Sequence, residues 1–144
     1  MKISTRGRYG VRLLIDLAEH LDESHVSLAS IAERQKISAR YLEQVAVILR
    51  RAGYIRSVKG ASGGYTLIKL PSEILVGDVL RVLEGDILIV DDVRPGETEN
   101  ALQRCIRSVV YNRLNIAISS LVDHITLCSM VGTSDEDAGY MYFI

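Results

Sequence analysis

Residues 27–65 read SLASIAERQKISARYLEQVAVILRRAGYIRSVKGASGGY, and this stretch decides the fold. Ser27 is placed to cap a short helix over residues 28–34, where Leu28, Ile31 and Ala32 share a face. Gln35, Lys36 and Ile37 form a brief turn. Ser38 then caps a longer helix running to about residue 52, with Leu42, Val45, Ala46 and Leu49 facing inward. Gly53 stands where the glycine that follows a helix end is expected. Two helices joined by so short a turn form a helix-turn-helix. Two β-prone runs, residues 54–58 and 64–68, flank Lys59-Gly60-Ala61-Ser62-Gly63 and predict a hairpin with a glycine-rich tip. A hairpin directly after the second helix of a helix-turn-helix is a wing.

Outward from this unit, residues 8–21 place Val11, Leu14, Ile15 and Ala18 at i, i+3, i+4 and i+7, an amphipathic helix with one buried stripe. On the other side, Pro71 closes the hairpin and residues 76–83 form a short helix through Val76, Val79, Leu80 and Leu83, followed by Gly85. Residues 86–100 are polar and acidic and contain Pro95-Gly96, which predicts a loop. Residues 101–123 predict a long helix with Leu102, Ile106, Val109, Val110, Leu114, Ala117 and Leu121 along one side. So much apolar surface outside the compact unit calls for cover by a second copy of the chain; the alternative is that the helix folds back on its own wing domain. A short helix over 126–131 and a polar run over 132–139 lead to Tyr140-Met141-Tyr142-Phe143-Ile144. The fold class is therefore mainly α with a small β-hairpin wing. A winged helix-turn-helix domain spans residues 1–85, and an acidic loop, long dimerisation helix and tail span 86–144.

Composition and charge narrow the function. With 48% hydrophobic and 24% charged residues the 144-residue chain is an ordinary globular protein and not a disordered one. The apolar run over 11–18 is broken by Arg12 and Asp16, so it is neither a signal-peptide core nor a membrane span, and the cytoplasm is the expected compartment. Two cysteines are too few for a disulfide framework. The net charge of −1 conceals an asymmetry: residues 1–70 carry 12 Lys/Arg against 6 Asp/Glu, whereas residues 71–144 carry 5 against 12. A basic half joined to an acidic half suits a polyanion-binding module with a second function attached.

Double-stranded DNA is the expected partner. Affinity for a duplex comes mainly from phosphate neutralisation, and sequence is read from the grooves. The start of the second helix offers Ser38, Arg40, Tyr41, Glu43 and Gln44: Gln pairs with adenine, Glu accepts from cytosine, and Arg binds guanine or a phosphate. At the hairpin tip, Lys59 supplies a cation, and Gly60, Ser62, Gly63 and Gly64 are small enough for close approach to a minor groove. The alternative for the glycines is that they only permit a tight turn. No phosphate-binding loop is present, because the segment lacks a Gly-Lys-Ser/Thr ending. No Ser/His/Asp set or metal motif calls for an enzyme.

The segments STRGRY (4–9), IS and YLEQ (37–38 and 41–44), AGYI (52–55) and SVKG with GGY (57–60 and 63–65) resemble the winged-helix regulators typified by IscR, NsrR and CymR, and the likeness runs over nearly the whole chain. The resemblance implies homodimers joined by the long helix, recognition helices in the major groove of a palindromic operator, and wings in the minor groove. It also implies that Tyr9 and Arg50 lie near phosphates. Many members have Arg where this chain has Lys59, and Lys lacks the planar bidentate fork.

Cluster-binding members of that family carry three cysteines before and at the start of the long helix. Residues 86–104 contain none; Cys105 matches the last of the three, and Ser108 falls where some members have a histidine ligand. One thiolate cannot hold a cluster that needs about four ligands, so no iron–sulfur cofactor is expected. His20, His25 and His124 show no metal-ligand spacing with either cysteine. Cys105 reads as a buried helix residue; a redox switch through Cys105 or Cys128 is the alternative. The cluster-free loop and the ending over 136–144 resemble the CymR branch, repressors of cysteine metabolism whose partner is cysteine synthase. That resemblance implies a partner-binding role for Tyr140, Met141, Tyr142, Phe143 and Ile144, in which the terminal carboxylate occupies an amino-acid carboxylate site. The alternative is a tail packed on the dimer.

Overall fold

The structure is a computed structural model that describes residues 2–132. Along the chain run α1 (Thr5–Glu19), α2 (Leu28–Gln35), α3 (Ala39–Arg51), β1 (Ile55–Val58), β2 (Gly64–Leu67) and α4 (Val76–Glu84). They are followed by a long helix built from α5 (Ala101–Ile106), a π-helical turn (Arg107–Tyr111) and α6 (Asn112–Val122). Short 3-10 turns sit at Pro71–Glu73 and Leu127–Met130. This is the expected winged helix-turn-helix with a long C-terminal helix.

Helix caps form where the side chains dictate. Ser27 accepts from the Ser30 N–H at 3.2 Å, and Ser38 accepts from the Tyr41 N–H at 3.1 Å. Between α2 and α3 the chain turns through Lys36, which takes a left-handed backbone (φ 54°). That conformation usually falls to glycine. α1 begins three residues earlier than its apolar periodicity indicates. Ser4 caps it, and Glu84 reaches over from α4 to accept the Ser4 and Gly7 N–H groups, each at 3.0 Å. Its buried face is also broader than the expected stripe: Leu13, Leu14, Leu17 and Ala18 are buried while Val11 and Ile15 are only half-buried. The reason is that α3, α4, β2 and the Leu127–Met130 turn enclose α1 from several sides.

The core joins these residues to Ile31 of α2, to Leu42, Val45, Ala46 and Leu49 of α3, and to Ile55, Ile74, Val79 and Leu83. Burying side chains of this kind stabilises by about 1.5–3 kcal/mol each before entropy is subtracted. β1 and β2 pair antiparallel, with Ile55 opposite Leu67 and Val58 opposite Gly64. Val26, just before α2, adds a third edge by exchanging two 2.8 Å backbone hydrogen bonds with Tyr65.

The long helix meets α4 at its C-terminal end, and its apolar face is left open to solvent. Leu102 is 68% exposed, Leu121 65% and Val109 54%. Folding back onto its own wing domain is therefore not the arrangement the chain adopts. After the helix, the chain returns to the winged unit, where Leu127 is fully buried in the core.

Candidate nucleic-acid interface

The surface that the sequence selects is assembled around the N-terminal end of α3. Leu42, Val45, Ala46 and Leu49 anchor one face of α3 in the core, and that anchoring turns Arg40, Glu43 and Gln44 outward, all exposed. Ser38 is exposed as well, but its Oγ accepts the capping bond, which leaves its hydroxyl proton for a ligand. Tyr41 is half-buried and meets Tyr9 of α1 edge to face, with ring centroids 5.4 Å apart and planes at 84°. The Arg12 guanidinium lies over the Tyr9 ring, 5.4 Å from its centre. Arg12 also donates to the Gln35 side chain at 3.2 Å and to the Gln35 carbonyl. The turn of the helix-turn-helix is thus tied to α1. Arg50, at the far end of α3, is exposed beside Arg51.

A second brace lies behind the turn. Asp16 is 1% exposed and takes a bidentate pair from Arg34, at 3.0 and 2.7 Å, plus a bond from the Gln35 amide at 2.9 Å. Burial pushes the Asp16 carboxyl up. The hydrogen bonds from Arg34 and Gln35, with the charges of Arg34 and His20, outweigh burial and hold it below the usual carboxylate value. A paired, ionised Asp16 therefore fixes α2 against α1.

In the wing, Lys59, Gly60 and Ser62 are exposed at the tip, while Gly63 and Gly64 are half-buried. Gly60 has φ 128°, which favours glycine, and its carbonyl accepts from the Gly63 N–H at 3.0 Å. Two of the glycines have internal reasons. A Cβ on Gly63 would overlap the Val58 carbonyl, and one on Gly64 would overlap the Val26 carbonyl. His25 reaches the Ser62 carbonyl through Nε2 and props the tip from below. Sequence reasoning missed Arg12, His25, Asp16 and Gln35. Their partners are distant in the chain, and only Arg12 and Asp16 stand out in sequence, as charges interrupting an apolar helix stretch. Tyr140, Met141, Tyr142, Phe143 and Ile144 lie outside the described residues.

With this geometry in hand, the comparisons decide the family. The family model described as "Rrf2: Iron-dependent Transcriptional regulator" matches residues 3–133. The chain belongs to the Rrf2 family. Among its Rrf2 relatives, the HTH-type transcriptional regulator CymR of Bacillus subtilis (strain 168) is 38% identical over the full length of both chains. The solved structure of that protein, the global cysteine regulator of B. subtilis, is 38% identical and aligns over 97% of this chain and 98% of its own with a TM-score of 0.76. The structure of T. potens IscR is 41% identical over 99% of this chain and 96% of its own, with a TM-score of 0.75.

The Rrf2 description raises the question of iron, and the residues present do not fit a cluster. The chain has two cysteines, Cys105 and Cys128, and residues 86–104 contain none. Among the described residues no group of three or more His, Cys, Asp or Glu is placed to hold a metal ion. The loop before the long helix is held by protein contacts. Asn115 accepts from the Ile89 N–H at 2.7 Å and donates to the Val90 carbonyl at 3.0 Å, and Arg107 pairs with Glu99 at 2.7 Å. Cys105 is exposed, not buried in a helix stripe, because the face that carries it has no cover within one chain. Among the described residues no helix is long and apolar enough to cross a membrane.

Proposed function

We propose that this Rrf2 regulator is a cytoplasmic homodimeric repressor of cysteine and sulfur metabolism genes, with α3 in the major groove of a palindromic operator and the wing beside it. The observation that carries the reading is the solvent-facing row Arg40, Glu43 and Gln44 at the capped end of α3, braced from behind by the Tyr41–Tyr9–Arg12 stack. A hydrogen-bonding row rigidly mounted on a helix is what base-edge reading requires. Tyr9, Arg50 and Lys59 serve phosphates and the groove wall, and Ser38, Tyr41, Gly60, Ser62, Gly63 and Gly64 shape the contact. The open apolar face of the long helix supplies the dimer interface. The metabolic assignment rests on the full-length likeness to CymR.

The test is operator affinity as a function of salt. Several phosphate contacts give log K falling against log salt with a slope of about −0.9 per contact, and a flat line contradicts the reading. In the same assay Gln44→Ala costs about 1–3 kcal/mol and relaxes selectivity at one operator position, leaving the salt slope unchanged.

A thiol-responsive form of this function is favoured by one observation: Cys105 and Cys128 are both exposed. Peroxide treatment weakens operator binding of the wild type and spares Cys105→Ser if Cys105 is the switch. The second partner proposed is cysteine synthase, bound through residues 140–144. Deleting those five residues then abolishes capture of the enzyme while operator binding is kept.

A further inference from the structure

The long helix and the DNA-reading unit meet at one compact joint. Asp123 caps the C-terminal end of α6, and Arg81, in the last turn of α4, grips it with its planar fork. Nη1 lies 2.6 Å from Oδ1 and Nη2 lies 3.0 Å from Oδ2. Asp78, one turn back on α4, adds a 3.5 Å ion pair to the same guanidinium. Gly77 lies beneath. A Cβ there would overlap Asp123 Oδ1 and stand 3.0 Å from Val122 Cγ2, so the missing side chain is what lets the helix end settle onto α4. Just beyond, Val76 N–H donates to the Ile125 carbonyl at 2.9 Å and Leu127 N–H to the Ile74 carbonyl at 3.0 Å. On its other sides α4 packs against α1 and against α3. One rigid layer therefore separates the long helix from the helix proposed to read DNA.

We infer that the Arg81–Asp123 pair, seated on Gly77, is a specificity-determining joint: it fixes the angle between the long helix and the DNA-reading unit, and so the half-site separation that the dimer accepts. This rests on the dimeric operator-binding reading above. Residues 101–122 make a lever about 33 Å long at about 1.5 Å per residue, and a rotation of about ten degrees at its base moves the far end by about 6 Å. That exceeds the spacing of about 3.4 Å between successive base pairs on one strand. A bidentate fork resists such rotation, whereas a single-point contact leaves it free. Arg81 and Asp123 are 33% and 36% exposed, so the pair adds little to folding stability; its work is geometric.

The experiment compares wild type, Asp123→Asn and Gly77→Ala on palindromes recovered from a randomised duplex library, with the spacer lengthened or shortened one base pair at a time. Asp123→Asn removes the charge with little change of size; Gly77→Ala displaces the carboxylate without removing it. Sedimentation, thermal unfolding and single half-site binding are measured alongside. Asp123→Asn is expected to match wild type in all three and Gly77→Ala in sedimentation and half-site binding, while both lose roughly 5- to 100-fold in affinity at the preferred spacing and accept neighbouring spacings more evenly. Variants that keep the sharp wild-type spacing profile overturn the joint alone. A wild type that is monomeric, or indifferent to spacing, overturns the dimer reading and the joint with it.

Discussion

Lys36 and Asp16 show how individual side chains hold the turn between α2 and α3. Lys36 adopts φ 54° at the end of α2, where a Cβ is a liability. Lys36→Gly is expected to raise stability by about 0.5–1 kcal/mol, read as a higher urea midpoint; an unchanged or lower midpoint argues against strain there. Asp16 carries the opposite lesson. Its native carboxyl is held below the ordinary value, so the unfolded chain takes up the proton first as pH falls. The stability it supplies is complete above about pH 5, where the unfolded carboxyl is fully ionised, and drains away as pH falls through the unfolded value toward the native pKa. Asp16→Asn is expected to be less stable near pH 6 and to lose less stability between pH 5 and 3 than wild type. Equal losses over that window would remove Asp16 from the account. Both sites were half-legible in sequence. Lys36 lies in a turn the pattern marks clearly, but its backbone angle is invisible there. Asp16 reads as an interruption of an apolar stretch, and its partners Arg34 and Gln35 are 18 and 19 residues away.

Elements were legible wherever a cap and a periodicity coincide. Ser27 and Ser38 each precede an apolar repeat, and α2 and α3 begin where these serines place them. α1 was misplaced because Thr5 to Gly10 contains no apolar repeat; its first turn is held by Glu84, 80 residues from Ser4. The π-helical turn at Arg107–Tyr111 likewise has no marker in an apolar pattern that tolerates either three- or four-residue steps. In the wing, β-prone runs on either side of a glycine-rich tip located both strands, yet the edge formed by Val26 escaped because a single bridging residue leaves no run to read. That edge makes a definite prediction. Gly64→Ala forces a Cβ into the Val26 carbonyl, a backbone atom that cannot swing aside, and is expected to destabilise by about 1–3 kcal/mol. Gly60→Ala instead meets open space but must hold φ 128°, so its cost is conformational. Hydrogen exchange at Tyr65 separates the two: faster exchange in Gly64→Ala and native protection in Gly60→Ala.

Across the described residues, a braced winged helix-turn-helix is followed by a long helix with an open apolar face. The charge asymmetry follows this division, with the basic half carrying α3 and the wing and the acidic half carrying the long helix. A single chain leaves Leu102, Val109, Leu114 and Leu121 exposed, and the proposed two-fold pair would cover them and present two copies of α3 to one duplex. Half-sites about one helical turn apart, or a multiple of it, are the geometric consequence. The most direct measurement is selection of bound duplexes from a randomised library by the purified full-length protein, with sedimentation of the same sample. The expected result is a dimer that enriches one palindrome with a fixed half-site separation. A monomer that enriches no duplex, or a dimer that enriches only asymmetric sites, contradicts it.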